Sequence, residues 1–377
     1  MRTKQEQNEM RRRLLYLWFP HFSIERYKRN EIDKRAKQDD FSGIIIIQDR
    51  AGRRVVIASC SLALKMGVAV GLSLEDALAA CPSLLVFEAD LIADQLTIET
   101  LARWCGRYTP LVSIDKANKG LGDAGIWLDI TGCAHLFGGE ADLLSDIIAR
   151  LTTINWTVFG AISDTPGSAW AVARFNSGVT QLIAPGEQQS ALSELPLSAL
   201  RLPKNTVDDL SKVGLRKISQ LMLVPRAPLR ARFGKNIRLR LDQALGIEKE
   251  TVSPQTLHSP YLARLVLLEP ISNSEAIKQI LSYLLPQVIE MLVTRSLGIR
   301  QLRLSLYKID GKVQELKIRT SQVSQNSDVV LRLFSEKIDN YLLDTGVDVV
   351  TLEATETDVI QYKQVYLNNE SEVSELR

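Results

Sequence analysis

The stretch Gly122 to Gly139, GDAGIWLDITGCAHLFGG, constrains the fold of this chain more than any other. Ile126, Leu128 and Ile130 alternate with Trp127, Asp129 and Thr131, the two-residue period of a buried β-strand. The glycine-rich turn that follows hands the chain to a helical pattern over Glu140 to Leu151. A strand passed to a helix in this way is a unit of layered α/β architecture, and the flanking sequence repeats it.

Upstream, Leu14-Leu15-Tyr16-Leu17-Trp18-Phe19 is an apolar run stopped by Pro20, the pattern of a central strand. Phe22 to Arg29 reads as a helix, and Gly43 to Ile47 and Arg54 to Ala58 as two strands joined by a polar turn. Two short helices follow, Cys60 to Met66 ended by Gly67, and Glu75 to Ala80 started by Ser73. Leu91 to Tyr108 has helical spacing, with Ile92, Leu96, Ile98, Leu101 and Cys105 offered to one face. Downstream come a strand at Trp156 to Ile162 and a helix at Pro166 to Phe175, capped by Asp164-Thr165 with Pro166 in its first turn.

Formal charge is only +2 at pH 7, so affinity for a polyanion must come from local segregation of charge. That segregation exists. From Arg201 to Arg240 there are eleven basic residues against Asp208 and Asp209, a net +9. Within it, Leu210 to Leu215 reads as a helix ending at Gly214, followed by Arg216-Lys217 and a new helix. Basic side chains and backbone amides at such a helix start suit a phosphate, and the concentration of charge favours nucleic-acid backbone over a merely solvated face. The candidate contacts are Lys212, Arg216, Lys217, Arg230, Arg232, Lys235 and Arg238.

The polar stretch Thr251 to His258 reads as a linker. Beyond it runs a β-α-β-β-α-β order: strand Ala263 to Leu268, helix Asn273 to Arg295, strand Gln301 to Tyr307, a hairpin turn at Asp310-Gly311, strand Val313 to Arg319, helix Asp328 to Leu343 and strand Asp348 to Ala354. That order predicts a small separate module of ferredoxin-like appearance. Cys60, Cys81, Cys105 and Cys133 are too scattered for a zinc site and suit a reducing compartment. No unbroken apolar run reaches the roughly 18 residues of a membrane span, and the polar start lacks a signal-peptide core, so a cytoplasmic protein is expected.

Three motifs carry a resemblance: Leu17-Trp18-Phe19-Pro20, the run Gly125 to Gly139, and Ala161-Ile162-Ser163-Asp164-Thr165-Pro166-Gly167-Ser168-Ala169-Trp170-Ala171. With the order of elements around them, the chain resembles the Y-family (translesion) DNA polymerases, and within them the ImuB-type branch. The resemblance implies a multidomain α/β right hand, with a palm at 1–22 and 88–176, fingers at 23–87, a helical thumb at 177–250, a little finger at 259–358 and a tail at 359–377. In active members an Asp ends the first strand and an Asp-Glu pair precedes the strand that ends Leu-Asp-Ile-Thr. Those carboxylates hold the two metal ions of nucleotidyl transfer. Here the positions are Phe19, Ala124 and Gly125. The fingers Tyr and Arg that hold the incoming triphosphate fall on Ser61 and Leu64. No catalytic residue, metal ligand or cofactor is therefore expected.

The resemblance implies instead a non-catalytic scaffold in damage-induced mutagenesis. It would bind primer-template DNA and the sliding clamp and recruit a replicative-type error-prone polymerase together with a RecA-like accessory protein of the ImuA type. Gln364-Val365-Tyr366-Leu367 resembles the start of a clamp-binding peptide. The alternative is a low-efficiency, Mg²⁺-dependent polymerase using Asp115, Asp123 or Asp129 as displaced ligands. Because strand side chains alternate, Asp123 would need a local bulge to reach the site, and Asp129 reads as a strand carboxylate bonded to nearby backbone. His135 reads as packed or bonded to backbone, and Trp18, Trp127, Trp156 and Trp170 as core.

Overall fold

A strand with apolar side chains on both faces needs cover on both sides. The computed structural model, which describes residues 12–32, 43–116, 122–176, 180–251, 255–256, 259, 261–339 and 345–359, supplies it. Strand β1 (Leu14–Phe19) leads into α1 (Phe22–Ile32), followed by β2 (Ile44–Arg50), β3 (Arg53–Ser59), α2 (Ser61–Lys65), α3 (Leu74–Ala80) and β4 (Leu85–Glu88). Next come α4 (Leu91–Cys105), β5 (Leu111–Ile114), β6 (Ala124–Asp129), α5 (Glu140–Thr153), β7 (Phe159–Ser163) and α6 (Pro166–Phe175). A mainly helical stretch holds β8 (Gln181–Leu182), α7 (Gln188–Ser193), α8 (Lys204–Lys212), α9 (Ile218–Met222), α10 (Arg226–Phe233), α11 (Asn236–Leu245) and β9 (Gln255–Thr256). The chain continues through β10 (Leu262–Ile271), α12 (Ser274–Val293), β11 (Leu297–Lys308), β12 (Val313–Ser324), α13 (Ser327–Asp339) and β13 (Val347–Val359). Two compact units divide these elements, residues 1–258 with 309–313, and 259–308 with 314–377.

In the first unit, a six-stranded sheet runs β8-β7-β1-β6-β5-β9, with β1 antiparallel to both β6 and β7. The alternation of β1 splits its side chains between two cores. Leu15, Leu17 and Phe19 pack with α4 and α5 on one face, while Tyr16 and Trp18 meet α6 and the helices after it on the other. Both faces are covered, which is why the sequence shows an unbroken apolar run. At the head of β1, Arg13 is 7 % exposed and donates to Glu140 (2.7 and 2.6 Å), Asp164 (2.6 Å) and the Ile183 carbonyl (2.8 Å), tying β1 to α5, α6 and β8. A smaller sheet, β3-β2-β4, packs with α2 and α3.

Several expectations are corrected. Helix α4 buries Ile98, Leu101 and Cys105, but Ile92 and Leu96 are exposed. At 100° per residue, 92 and 96 lie on one stripe, and 98, two residues on from 96, falls across the helix from it. Strands β4, β5 and β8 were too short to stand out from periodicity. The polar linker itself supplies β9, which pairs with β5 through Leu111↔Thr256 and Val112↔Gln255.

The second unit has the expected element order, with its sheet in the order β10-β13-β11-β12. Strand β13 lies antiparallel between β10 and β11, so β10-α12-β11 is a split β-α-β unit with β13 in the gap. Element order did not decide that β10 would be an edge strand. Helix α12 is long and apolar enough by length and composition to cross a membrane, yet Ile277, Leu281, Leu284, Leu285, Val288 and Leu292 are buried in this unit's core.

Candidate functional site

The register of β1 against β6 brings the three expected carboxylate positions together, Phe19 opposite Ala124 and Trp18 opposite Gly125. None offers a metal ligand. Phe19 is fully buried and meets Phe22 and Trp156 edge-on at 6.3 and 6.0 Å. Gly125 is covered by the phenol of Tyr16, so that a Cβ at 125 would collide with the hydroxyl and lie 2.6 Å from Cζ. Aromatic side chains thus pack against two of the positions where the resemblance would place oxygen ligands.

Two carboxylates do reach this place, by a route the strand pattern did not show. Asp123 precedes β6 rather than lying in it, and Asp115 follows β5, its amide bonded to the Gly125 carbonyl (2.9 Å). No bulge in β6 is needed. Asp115 Oδ2 accepts from the Tyr16 hydroxyl (2.8 Å) and the Trp170 indole (3.2 Å). Asp123 Oδ2 accepts from the Trp18 indole (2.9 Å) and forms an ion pair with Arg174, whose guanidinium lies 5.0 Å from the Trp18 ring and 4.8 Å from that of Trp170. Burial, and then the charge of Asp115, push the Tyr16 phenol well above its ordinary value, so it stays protonated and donates.

A pair of divalent ions does not fit this donor set. Of the two oxygens of Asp123, only Oδ1 is buried without a hydrogen-bond partner among the described residues, and the cation already beside that carboxylate would repel another. Among the described residues, no three His, Cys, Asp or Glu side chains gather into one cluster. A cleft of about 410 Å³ opens beside the cluster, and among the described residues its lining includes Asp94, Glu99, Asp115, Asp123 and Lys116. Ser61 and Leu64 are exposed on α2 and bring no cation.

Asp129 is held by the Thr131 amide (3.2 Å), the Thr131 hydroxyl (2.6 Å) and Arg12 (2.8 Å), the structural role its position suggested. His135 is exposed rather than packed. Trp127, Trp156 and Trp170 are buried, and Trp18 is half-buried.

The basic segment forms α8 to α11, but the expected phosphate cradle is altered. The amides of Arg216 and Lys217 both donate to the Gln220 side chain (2.7 and 3.0 Å), so the start of α9 caps itself. Lys212 pairs with Asp209 (2.8 Å), Lys217 with Glu194 (2.7 Å) and Arg238 with Asp242 (2.9 Å). Arg216, Arg232 and Lys235 are exposed and have no carboxylate partner among the described residues. The side chain of Arg230 and the whole of Gln364 to Leu367 lie outside the described residues. Arg174 was the residue that sequence reasoning missed. Its only local signal was a basic residue in the last turn of a helix buried from Pro166 to Ala173.

Residues 39–174 match the family described as impB/mucB/samB. The chain is 35 % identical to "Protein ImuB" of Caulobacter vibrioides (strain NA1000 / CB15N) over 309 residues, a match spanning 82 % of this chain and 66 % of that protein. It is 27 % identical to a DNA polymerase IV of Shewanella frigidimarina over 86 % of this chain and 92 % of the relative. Among solved structures, it is similar to an insertion ternary complex of Dbh DNA polymerase (TM-score 0.53, 15 % identity, 90 % of this chain and 97 % of that one) and to DinB from Sulfolobus solfataricus (TM-score 0.52, 14 % identity, with the same coverage). These two likenesses establish the fold.

Proposed function

We propose, from the premise that the chain belongs to the Y family of polymerase-like proteins and is of the ImuB type, that it is a non-catalytic scaffold for translesion synthesis. It holds primer-template DNA and the sliding clamp, and recruits a replicative-type error-prone polymerase and a RecA-like accessory protein to damaged DNA. We assign the palm to the six-stranded sheet, the fingers to the β3-β2-β4 sheet, the thumb to α7 to α11 and the little finger to the second unit.

One observation carries this reading. Where nucleotidyl transfer needs metal-binding oxygens, Phe19 is sealed in the core and Gly125 lies under the Tyr16 ring, while the two nearby carboxylates are engaged by Arg174, Tyr16, Trp18 and Trp170. A fold without that chemistry still keeps basic side chains for phosphates: Arg216, Arg232 and Lys235 are exposed on the thumb.

The second reading, a weak polymerase using displaced carboxylates, draws on the approach of Asp115 and Asp123 to the site. Primer extension separates the two. The scaffold binds primer-template in a salt-dependent manner and adds no nucleotide at any Mg²⁺ or Mn²⁺ concentration. Reproducible addition that disappears in Asp115→Asn and Asp123→Asn would falsify it. The clamp contact is tested by capture of the full chain on immobilised clamp, with loss expected on replacing Gln364 and Leu367 by Ala.

A further inference from the structure

The misfit between this donor set and a metal pair has a positive side. Two carboxylates brought close together at one end of a sheet normally demand a counter-ion, because each costs several kcal/mol to desolvate unpaired. In a metal-dependent fold the ion supplies it. In this chain the cation is a side chain delivered from helix α6, 51 residues beyond Asp123.

We propose that Arg174 is a built-in replacement for the metal ion: its guanidinium supplies the counter-charge to Asp123 at the Asp115/Asp123 site and makes the integrity of the sheet end independent of divalent cations. The geometry is specific to that role. The guanidinium stands within cation–π range of two indoles, Trp18 and Trp170, and both of these also donate N–H groups to the carboxylates. Tyr16, beneath which Gly125 must lie, completes the ring of donors on Asp115. The Arg174 side chain is 15 % exposed and that of Asp123 11 %, so neither charge is left to water. Arg174 Nη1 and Asp123 Oδ1 are both buried without a hydrogen-bond partner among the described residues. The pair is therefore under-coordinated, and removing the guanidinium leaves carboxylate oxygens free for another cation.

This counter-charge comes from the chain's own side chains and does not depend on DNA, clamp or partner binding. Arg174→Met should accordingly convert the place into a divalent-cation site. Wild-type protein and Arg174→Lys, which keeps the charge, should show the same Tm in EDTA and in Mn²⁺. Arg174→Met should lose roughly 5 °C or more in EDTA and regain most of it as Mn²⁺ is added, with the manganese spectrum changing from free to bound by electron paramagnetic resonance. The double variant Arg174→Met/Asp123→Asn, with both charges gone, should be more stable in EDTA than Arg174→Met alone and indifferent to Mn²⁺. If Arg174→Met is insoluble without metal, expression and refolding in Mn²⁺ should recover it, while the double variant should fold without metal. The metal-replacement role is overturned if Arg174→Met shows neither loss in EDTA nor Mn²⁺ response, if the two substitutions are simply additive, or if wild-type protein binds Mn²⁺ in a manner abolished by Asp123→Asn.

Discussion

Replacing Gly125 by Ala adds one methyl group at the most crowded point of the candidate site. The new Cβ would overlap the Tyr16 hydroxyl, with Cζ at 2.6 Å and Cε2 at 2.8 Å. A side-chain tip on the surface would swing away at little cost. Tyr16 cannot, since it is fully buried, its ring centroid 4.3 Å from that of Trp127 and its hydroxyl 2.8 Å from Asp115. Relieving the overlap means overpacking, at about 1–3 kcal/mol, and loosening a buried hydrogen bond to a carboxylate, at about 1–3 kcal/mol more. The expected loss is about 2–6 kcal/mol, read from urea unfolding followed by tryptophan fluorescence. Because the hydroxyl is part of both terms, Tyr16→Phe should cost less in the Gly125→Ala background than alone, with a coupling of about 0.5–2 kcal/mol. If Gly125→Ala unfolds within about 0.5 kcal/mol of the parent, Tyr16 does not sit where a closed site needs it.

Other perturbations test the remaining elements. Replacing Arg216 and Arg232 together by Ala should weaken binding to all DNA sequences alike and lower the salt slope of log K by about 2 units, whereas Lys212→Ala and Lys217→Ala, already paired with carboxylates, should each change it by less than about half a unit. An unchanged slope in the arginine double variant would remove the thumb from the DNA interface. Arg13→Met should destabilise the first unit by about 3–5 kcal/mol, measured by chemical unfolding, because it strands Glu140 and Asp164 as well as deleting the clamp on β1. At alkaline pH, burial and then the charge of Asp146 hold the Tyr108 phenol far above its ordinary value of 10.0, so above about pH 10 the unfolded chain releases a proton that the folded one keeps. Stability should therefore fall as pH rises past 10, by about 1.4 kcal/mol per pH unit for each such tyrosine. Tyr108→Phe should flatten the slope by that amount, and an equal slope in parent and variant would show that Tyr108 is not held protonated.

Much of the architecture was legible from local pattern. The apolar run of β1, the alternation of β6, the Thr165 cap of α6 and the hairpin around Asp310-Gly311 each depend on a few adjacent residues, so periodicity and turn chemistry reported them. The same holds for the absence of carboxylates at 19, 124 and 125, which is a matter of identity at a position. Short strands such as β5, and the recruitment of linker residues into β9, were not legible, since two to four residues carry no period and their pairing partners are distant.

What tertiary structure alone decided is which side chains engage the carboxylates beside the candidate site. Strand alternation implied that Asp123 would face the wrong way without a bulge, but the chain reaches β6 from a loop, where that rule has no force, and its carboxylate turns to Trp18 and Arg174. The self-capped start of α9 and the pairing of Lys217 with Glu194 likewise overrode a reading based on net charge. Sequence reports which charges a chain owns, because composition is local. Where each charge finds its counter-ion is set by sheet register and helix packing across many residues, and that long-range pairing determines whether a carboxylate is offered to a metal or satisfied by the protein itself.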